Sequence, residues 1–447
     1  MTPASVSLSE WETVAPVRGS VLAGLGFEGD QAVRTLAENL TSLNQLEVFE
    51  LARGLELRAT SFVGRVTLGS IEVTVHPKIS GTPLLKLFRY AYGLRDLQLY
   101  GGASYSTTHG SFQDLLIQQL AEEVQELVTR GLHRDYLPSS ENLASPRGRI
   151  DFACFVRNTL SGANSLPCIH HPRSEDTLLN QVLLAGVLLG SRLTTDLNLR
   201  TRMRRLSKIL GSTVSLVELD AITLREAWRS LDRRKQACES ALKLVGLLLE
   251  SAGVSLSGES ARLHLQGFLF DMNRFFQSLL SRFLREHLPG FEVQDEHQLK
   301  GMFAYDPLQN PQGRKAPTPR PDFVITQGAS IVAVVDAKYR DLWDKALPPA
   351  MLYQLAIYAL GHNQAERMAA IIYPSLNAQA SEQSITIQEA VKGVVRASVE
   401  LRPVNLLLLN NLLQEGSGPE MRRRRIRFAH QLAFGRLPNS RQQYQTA

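Results

Sequence analysis

The sequence predicts a multidomain α/β protein: a mixed α+β N-terminal domain over residues 1–140, a mainly helical middle region over 141–260, and an α/β C-terminal domain over 261–447. Three observations carry that expectation. At 447 residues the chain exceeds what one apolar core ordinarily organises, so several modules are expected. Alternating residues on either side of Gly69-Ser70 spell a tight β-hairpin. From about residue 262, apolar runs follow one another in the order helix, strand, long loop, strand, strand, helix, strand.

Taken in order, an Ala/Leu-rich stretch over residues 30–43 predicts a helix. Strands follow at 62–68 and 71–76, where Val63, Arg65 and Thr67 alternate with Val66 and Leu68, and Ile71, Val73 and Val75 with Glu72 and Thr74; Pro77 stops the second. Helices are expected over 83–93 and 111–130, the latter carrying Leu115, Leu116, Leu120, Val124 and Leu127 at helical spacing. A Pro-, Ser- and Asn-rich loop over 137–149 marks a boundary. Beyond it, 178–193 reads as a strongly apolar helix, and basic side chains over 200–205 and 225–235 lie on segments of helical pattern. These are either solvated faces or a phosphate-contacting surface, and the sequence leaves both open.

In the C-terminal part a helix over 268–287 turns Met272, Phe275, Phe276, Leu279, Leu280, Phe283 and Leu284 inward and ends at Pro289-Gly290. Residues 291–305 read as extended, and 306–320, with four prolines, as an exposed loop. Short strands over 323–326 and 331–337 are joined by a Gln327-Gly328 turn, a helix spans 350–360, and a strand spans 368–373 before Pro374. The run Arg422–Arg425, continued by Arg427, reads as a solvated or partner-binding tail.

Composition excludes several classes. Hydrophobic residues make up 44% and charged residues 21%, as in globular proteins, and no window reaches the roughly 18 consecutive apolar residues of a membrane span. The first residues lack a basic stretch followed by an apolar run, so a cytoplasmic location is expected. Cys154, Cys168 and Cys238 show no CxxC spacing, which argues against a disulfide framework, a zinc ribbon or a cysteine-held cluster and for buried thiols. Lys and Arg outnumber Asp and Glu by 49 to 43, a mild excess compatible with nucleic acid. No GxxxxGK[ST] loop occurs, so any nucleotide-driven motor belongs to another chain.

The chemistry concentrates between Arg320 and Arg340. One strand opens on Asp322, and the next ends on Asp336-Ala337-Lys338. Because side chains alternate along a strand, Asp336 and Lys338 share a face, and the hairpin brings Asp322 beside them. Two carboxylates and the Ala337 carbonyl are hard oxygen ligands suited to Mg²⁺, with Mn²⁺ as a substitute. Lys338 beside them would orient or deprotonate an attacking water and offset charge in the transition state. A plain salt bridge at a sheet end is the competing reading. One helix later, Gln354 and Tyr358 stand at i and i+4, on one helical face.

Pro321-Asp322, Asp336-Ala337-Lys338 and Gln354-x-x-x-Tyr358, in this order on these elements, resemble the PD-(D/E)xK nucleases of the restriction-endonuclease-like fold. More narrowly, residues 62–79, Pro146-Arg-Gly-Arg-Ile-Asp-Phe152, Asp176-Thr-Leu-Leu-Asn180 and Leu352-Tyr-Gln-Leu-Ala-Ile-Tyr358 resemble the McrC subunits of McrBC modification-dependent (5-methylcytosine) restriction systems. The resemblance runs from about residue 60 to 375. It implies a Mg²⁺-dependent endodeoxyribonuclease acting on double-stranded, modified DNA. Asp322, Asp336, Lys338, Gln354 and Tyr358 would be its catalytic residues, with Asp322, Asp336 and Ala337 as metal ligands. It also implies an McrB-like AAA+ GTPase hexamer as partner, contacted and stimulated through the N-terminal domain. One departure is visible: many nucleases of this kind carry a Glu on the helix before the core sheet, where this chain has Gln277, which leaves a second metal ion open. A non-cleaving activator of an AAA+ motor and a stand-alone repair or defence nuclease are the alternative functions.

Overall fold

The computed structural model describes residues 4–27, 29–79, 81–94, 112–160, 165–252, 267–361, 367–414, 416 and 418–435. The chain forms two compact units, neither of them one continuous stretch: residues 1–63, 68–94 and 270–447 make the first, and 64–67 with 95–269 the second. This division departs from the three successive segments expected, since residues 1–63 and 68–94 share a unit with 270–447.

The first unit is organised by a six-stranded mixed sheet. In chain order its elements are α1 (Met272–His287), β1 (Glu292–Asp295), β2 (Phe323–Gln327), β3 (Ser330–Ala337), α2 (Pro349–Leu360), β4 (Met368–Ser375), β5 (Gln383–Gln388) and β6 (Val395–Asn405). The spatial order is β1-β2-β3-β4-β6-β5. β2 and β3 form an antiparallel hairpin around Gly328, whose φ of +60° suits a residue without Cβ. β3 and β4 then run parallel, which requires a crossover, and α2 supplies it. Central strands covered on both faces read as continuous apolar runs, which is why Val334, Val335, Ile371 and Ile372 are all buried.

α1 begins where Asp271 accepts the Asn273 N–H as N-cap, and it buries the seven apolar residues expected of it. The helix does not reach back to 268, however. Gly267–Asp271 is a strand with Phe268, Leu269 and Phe270 buried, because a short aromatic run satisfies either period and the Asp271 cap fixes the start. Extended structure in 291–305 is confined to β1, and 306–320 is an irregular, largely exposed loop with one 3₁₀ turn at Pro307–Gln309. Pro374 lies inside β4 opposite Val404, one residue before the strand ends, where a missing N–H removes little from the ladder.

Beyond β4, where no elements are expected from the sequence, β5, β6 and two helices follow, Leu406–Gln414 and Pro419–Phe434. The arginine run sits on the second helix, not in a tail; Phe428 packs its ring 5.9 Å from that of Phe283. Buried Arg402 closes that helix by donating to the Leu432 and Ala433 carbonyls while pairing with Glu382 at 2.7 Å.

In the N-terminal part of this unit, Ala4–Ser9 pairs in parallel with Ile71–His76. The hairpin strands are Phe62–Leu68 and Ile71–His76, the bounds expected of them. A second hairpin, Leu46–Leu51 with Gly54–Ala59, extends to Thr13–Val14, and helix Gln31–Ser42 is capped by Asp30.

The second unit is mainly helical, with Phe112–Arg130, Leu178–Leu193, Leu197–Leu210, Ala221–Arg229 and Glu239–Ala252 as its main helices. The loop expected over 137–149 contains strand Ser139–Leu143, which pairs with Leu166–His170, as does Arg149–Ile150; a mostly exposed edge strand of polar residues leaves no alternating pattern to read. Helix Leu197–Leu210 buries Leu199, Met203, Leu206 and Leu210 and exposes Arg204, Arg205 and Lys208. The basic stretch 225–235 is helical only to Arg229, after which Asp232 accepts the Arg234 and Lys235 N–H groups in a turn. Cys168 and Cys238 are buried thiols, and Cys154 is half-buried. Among the described residues no helix is long and apolar enough to cross a membrane.

Candidate active site

The hairpin brings Asp322, Asp336 and Lys338 together at one end of the sheet. The β2–β3 register pairs Phe323 with Val335, so two residues further on Pro321 faces Ala337. A proline has no N–H to continue the ladder. The Ala337 N–H donates instead to Asp322 Oδ2 at 2.7 Å, and the Ala337 carbonyl, on the same strand edge, has no ladder donor opposite it. On the other edge the Lys338 N–H donates to the Ile372 carbonyl at 3.0 Å, anchoring the end of β3 to β4.

Lys338 Nζ lies 2.9 Å from Asp336 Oδ2 and 3.5 Å from Asp322 Oδ2. The side chain of Asp336 is only 4% exposed, whereas that of Lys338 keeps 25% of its surface, so the lysine is the open side of the trio. Burial, with the neighbouring Asp336 charge adding to it, pushes the Asp322 carboxyl up to about 7 against the pull of Lys338 and of the Ala337 N–H. Burial works against the Lys338 charge, but Asp336 and Asp322 outweigh it and hold its pKa above the ordinary lysine value. Two carboxylates sharing one cation in a half-closed site are short of positive charge. That shortage, and the free Ala337 carbonyl, fit a hard divalent cation. Among the described residues no group of three or more His, Cys, Asp or Glu forms a metal cage, so such an ion would complete its shell with water and phosphate oxygens.

Gln354 and Tyr358 share a face of α2 as expected, and Gln354 Nε2 donates to the Tyr358 hydroxyl at 2.8 Å. The phenol pKa is raised, by burial first and then by the Asp336 and Asp322 charges, which places this ring in the electrostatic field of the trio. Tyr358 also lines an open groove of about 1170 Å³ whose other walls include Glu296, His297, Lys300 and Ser330. Gln277 is half-buried on α1, one turn beyond Asn273 and so on the same side of the helix.

Sequence reasoning missed Asn273, whose Oδ1 accepts the Tyr339 N–H at 2.9 Å directly after Lys338. It also missed Glu10. This residue is buried, and burial pushes its carboxyl up to about 8 against the pull of Lys78 and of the Tyr339 hydroxyl. Its pKa in the folded chain lies above the unfolded value of 4.5, so the linked stability is present below that value and is lost as pH rises towards 8. Glu10→Gln cannot ionise. Its melting temperature is expected to gain on that of the wild type steadily between about pH 5 and pH 8; a pH-independent difference in thermal melts would show that Glu10 is not held neutral.

Residues 57–374 match the family model described as "McrBC 5-methylcytosine restriction system component", a stretch that includes Asp322, Asp336, Lys338, Gln354 and Tyr358. No curated protein sequence matches the chain. Among solved structures, a chain of the refined half-complex from the tetradecameric assembly of Thermococcus gammatolerans McrB AAA+ hexamers with bound McrC is similar with a TM-score of 0.62 and 18% identity, over 95% of this chain and 99% of that one. A chain of the cryo-EM structure of the Thermococcus gammatolerans McrBC complex matches with a TM-score of 0.45 and 18% identity, over 64% of this chain and 88% of that one. At such identity the first likeness speaks for a shared fold. The family match, which spans well over half of the sequence, decides membership: the chain belongs to the McrBC 5-methylcytosine restriction system component family.

Proposed function

We propose that the chain is the DNA-cleaving subunit of a modification-dependent restriction system, a Mg²⁺-dependent endodeoxyribonuclease of the PD-(D/E)xK type. The observation that supports this best is the placement of Lys338 between Asp336 and Asp322 at the end of a buried strand, with the Ala337 carbonyl left without a ladder donor. When bound, a hard divalent cation held by Asp322, Asp336 and the Ala337 carbonyl supplies positive charge to phosphate oxygens. Lys338 has three N–H donors; two directions are taken by carboxylates, and the exposed one is free to hold a water in line with the phosphorus and to offset charge as the bond to the leaving oxygen breaks. Tyr358 stays protonated with its oxygen already accepting from Gln354, so its O–H is available to a phosphate oxygen.

The relative of similar fold is assembled with McrB AAA+ hexamers. An McrB-like AAA+ GTPase hexamer is accordingly the partner we propose, with double-stranded, modified DNA as substrate and residues 1–140 as the region expected to contact the ring.

The test is cleavage of methylated and unmethylated plasmid, with and without such a partner, under defined metal. Mg²⁺ or Mn²⁺ is expected to sustain cutting, and Zn²⁺, which prefers nitrogen and sulfur ligands, is not. Undiminished cleavage in EDTA would show that no divalent cation takes part.

A further inference from the structure

The chain leaving Lys338 is held by residues far from it in sequence. The Tyr339 N–H donates to Asn273 Oδ1 at 2.9 Å, and Asn273 Nδ2 in turn donates to Ser61 Oγ at 2.8 Å. The Tyr339 carbonyl accepts from Trp11 Nε1 at 3.0 Å. Trp11 is itself fixed: its carbonyl accepts from Lys345 Nζ at 3.2 Å, and the Arg340 guanidinium lies 5.4 Å from its ring centroid. Its φ is +63°, in the left-handed region, where a bulky side chain is rare and costly. Trp11 is the third residue of the turn Ser9–Glu12, closed by the Glu12 N–H donating to the Ser9 carbonyl at 3.1 Å, a place that favours glycine; the tryptophan found there delivers its indole N–H to the Tyr339 carbonyl.

We propose that Trp11 and Asn273 are positioning residues of the nuclease site, holding the Tyr339 backbone by its C=O and its N–H so that Lys338 faces Asp322 and Asp336. The inference rests on the nuclease reading above. Lys338 reaches the site through four rotatable bonds, so its ammonium is placed by the two carboxylates at one end and by the direction of its own backbone at the other. Ile372 fixes that backbone on the N-terminal side of Lys338, and Asn273 and Trp11 fix it on the C-terminal side. A misplacement of about 1 Å at a reacting group costs on the order of 10²-fold in rate. Residues 1–50, outside the span over which the sequence resembles its family, thereby gain a role.

The experiment is single-turnover cleavage of methylated plasmid in Mg²⁺ by the full chain with its AAA+ partner, comparing wild type, Trp11→Phe, Asn273→Leu and Asp336→Ala. Trp11→Phe keeps an aromatic ring but loses the donor along with the second ring of the indole, and Asn273→Leu keeps the volume. Both are expected to lower the rate constant by about 10-fold or more, with reaction amplitude, DNA affinity in Ca²⁺ and half-saturating Mg²⁺ unchanged. Trp11→His, which restores a ring N–H, should recover part of the loss. A role in folding alone would lower amplitude and melting temperature and leave the rate constant of the folded fraction at the wild-type value; that result for the variants that fold overturns the proposal. If Asp336→Ala is inactive while Trp11→Phe and Asn273→Leu cut at the wild-type rate, only the positioning role fails. If Asp336→Ala cuts normally, the nuclease reading fails with it.

Discussion

Asp336→Ala is expected to abolish DNA cleavage while the chain stays folded. Asp336 is a proposed metal ligand and the nearer of the two anchors of Lys338, at 2.9 Å against 3.5 Å for Asp322. Losing a metal that contributes several kcal/mol of charge stabilisation corresponds to about 10³-fold or more in rate. The fold has less to lose. Removing Asp336 also removes a like charge that adds to burial in raising the Asp322 pKa, so the Asp322 carboxyl shifts back towards its ionised form beside Lys338. Single-turnover cleavage beside thermal melts checks both halves, and a variant that cuts at the wild-type rate places the chemistry elsewhere.

Lys338→Met is expected to produce the second largest loss, and it separates catalysis from a mere ion pair. If the lysine orients the water and offsets transition-state charge, cleavage falls on the order of 10²-fold or more while DNA still binds. If it serves only as a counter-ion at the sheet end, the variant leaves two crowded carboxylates uncompensated. Asp322 then climbs above its already raised pKa, and the cost of about 1–3 kcal/mol appears in the melt. Both effects can coexist, so the rate decides. Normal cleavage with an altered melting temperature would return Lys338 to a structural role.

Much of the candidate site was legible in the sequence because its parts are local. Asp322, Asp336 and Lys338 belong to one hairpin of period-2 strands, and Gln354 and Tyr358 to one turn of the next helix. The hairpin around Gly69 was legible for the same reason. What escaped depends on distant parts of the chain. Trp11 and Tyr339 are 328 residues apart and Asn273 and Tyr339 are 66 apart, and no periodicity announces such a contact. The helix expected from 268 began instead at Met272, since Phe268–Phe270 fits a buried strand as well as a helix and only the Asp271 cap decides. The joining of residues 1–63 and 68–94 with 270–447 in one unit left no trace in composition either.

Asp322, Asp336 and Lys338 are expected to cut DNA together with a divalent cation. The most direct measurement is linearisation of 5-methylcytosine-containing plasmid by the full chain and an McrB-like GTPase, run in Mg²⁺ and in EDTA with wild type and Asp336→Ala side by side. Cutting is expected from the wild type in Mg²⁺ and from none of the other three reactions. Cutting by Asp336→Ala, or by the wild type in EDTA, would contradict that expectation.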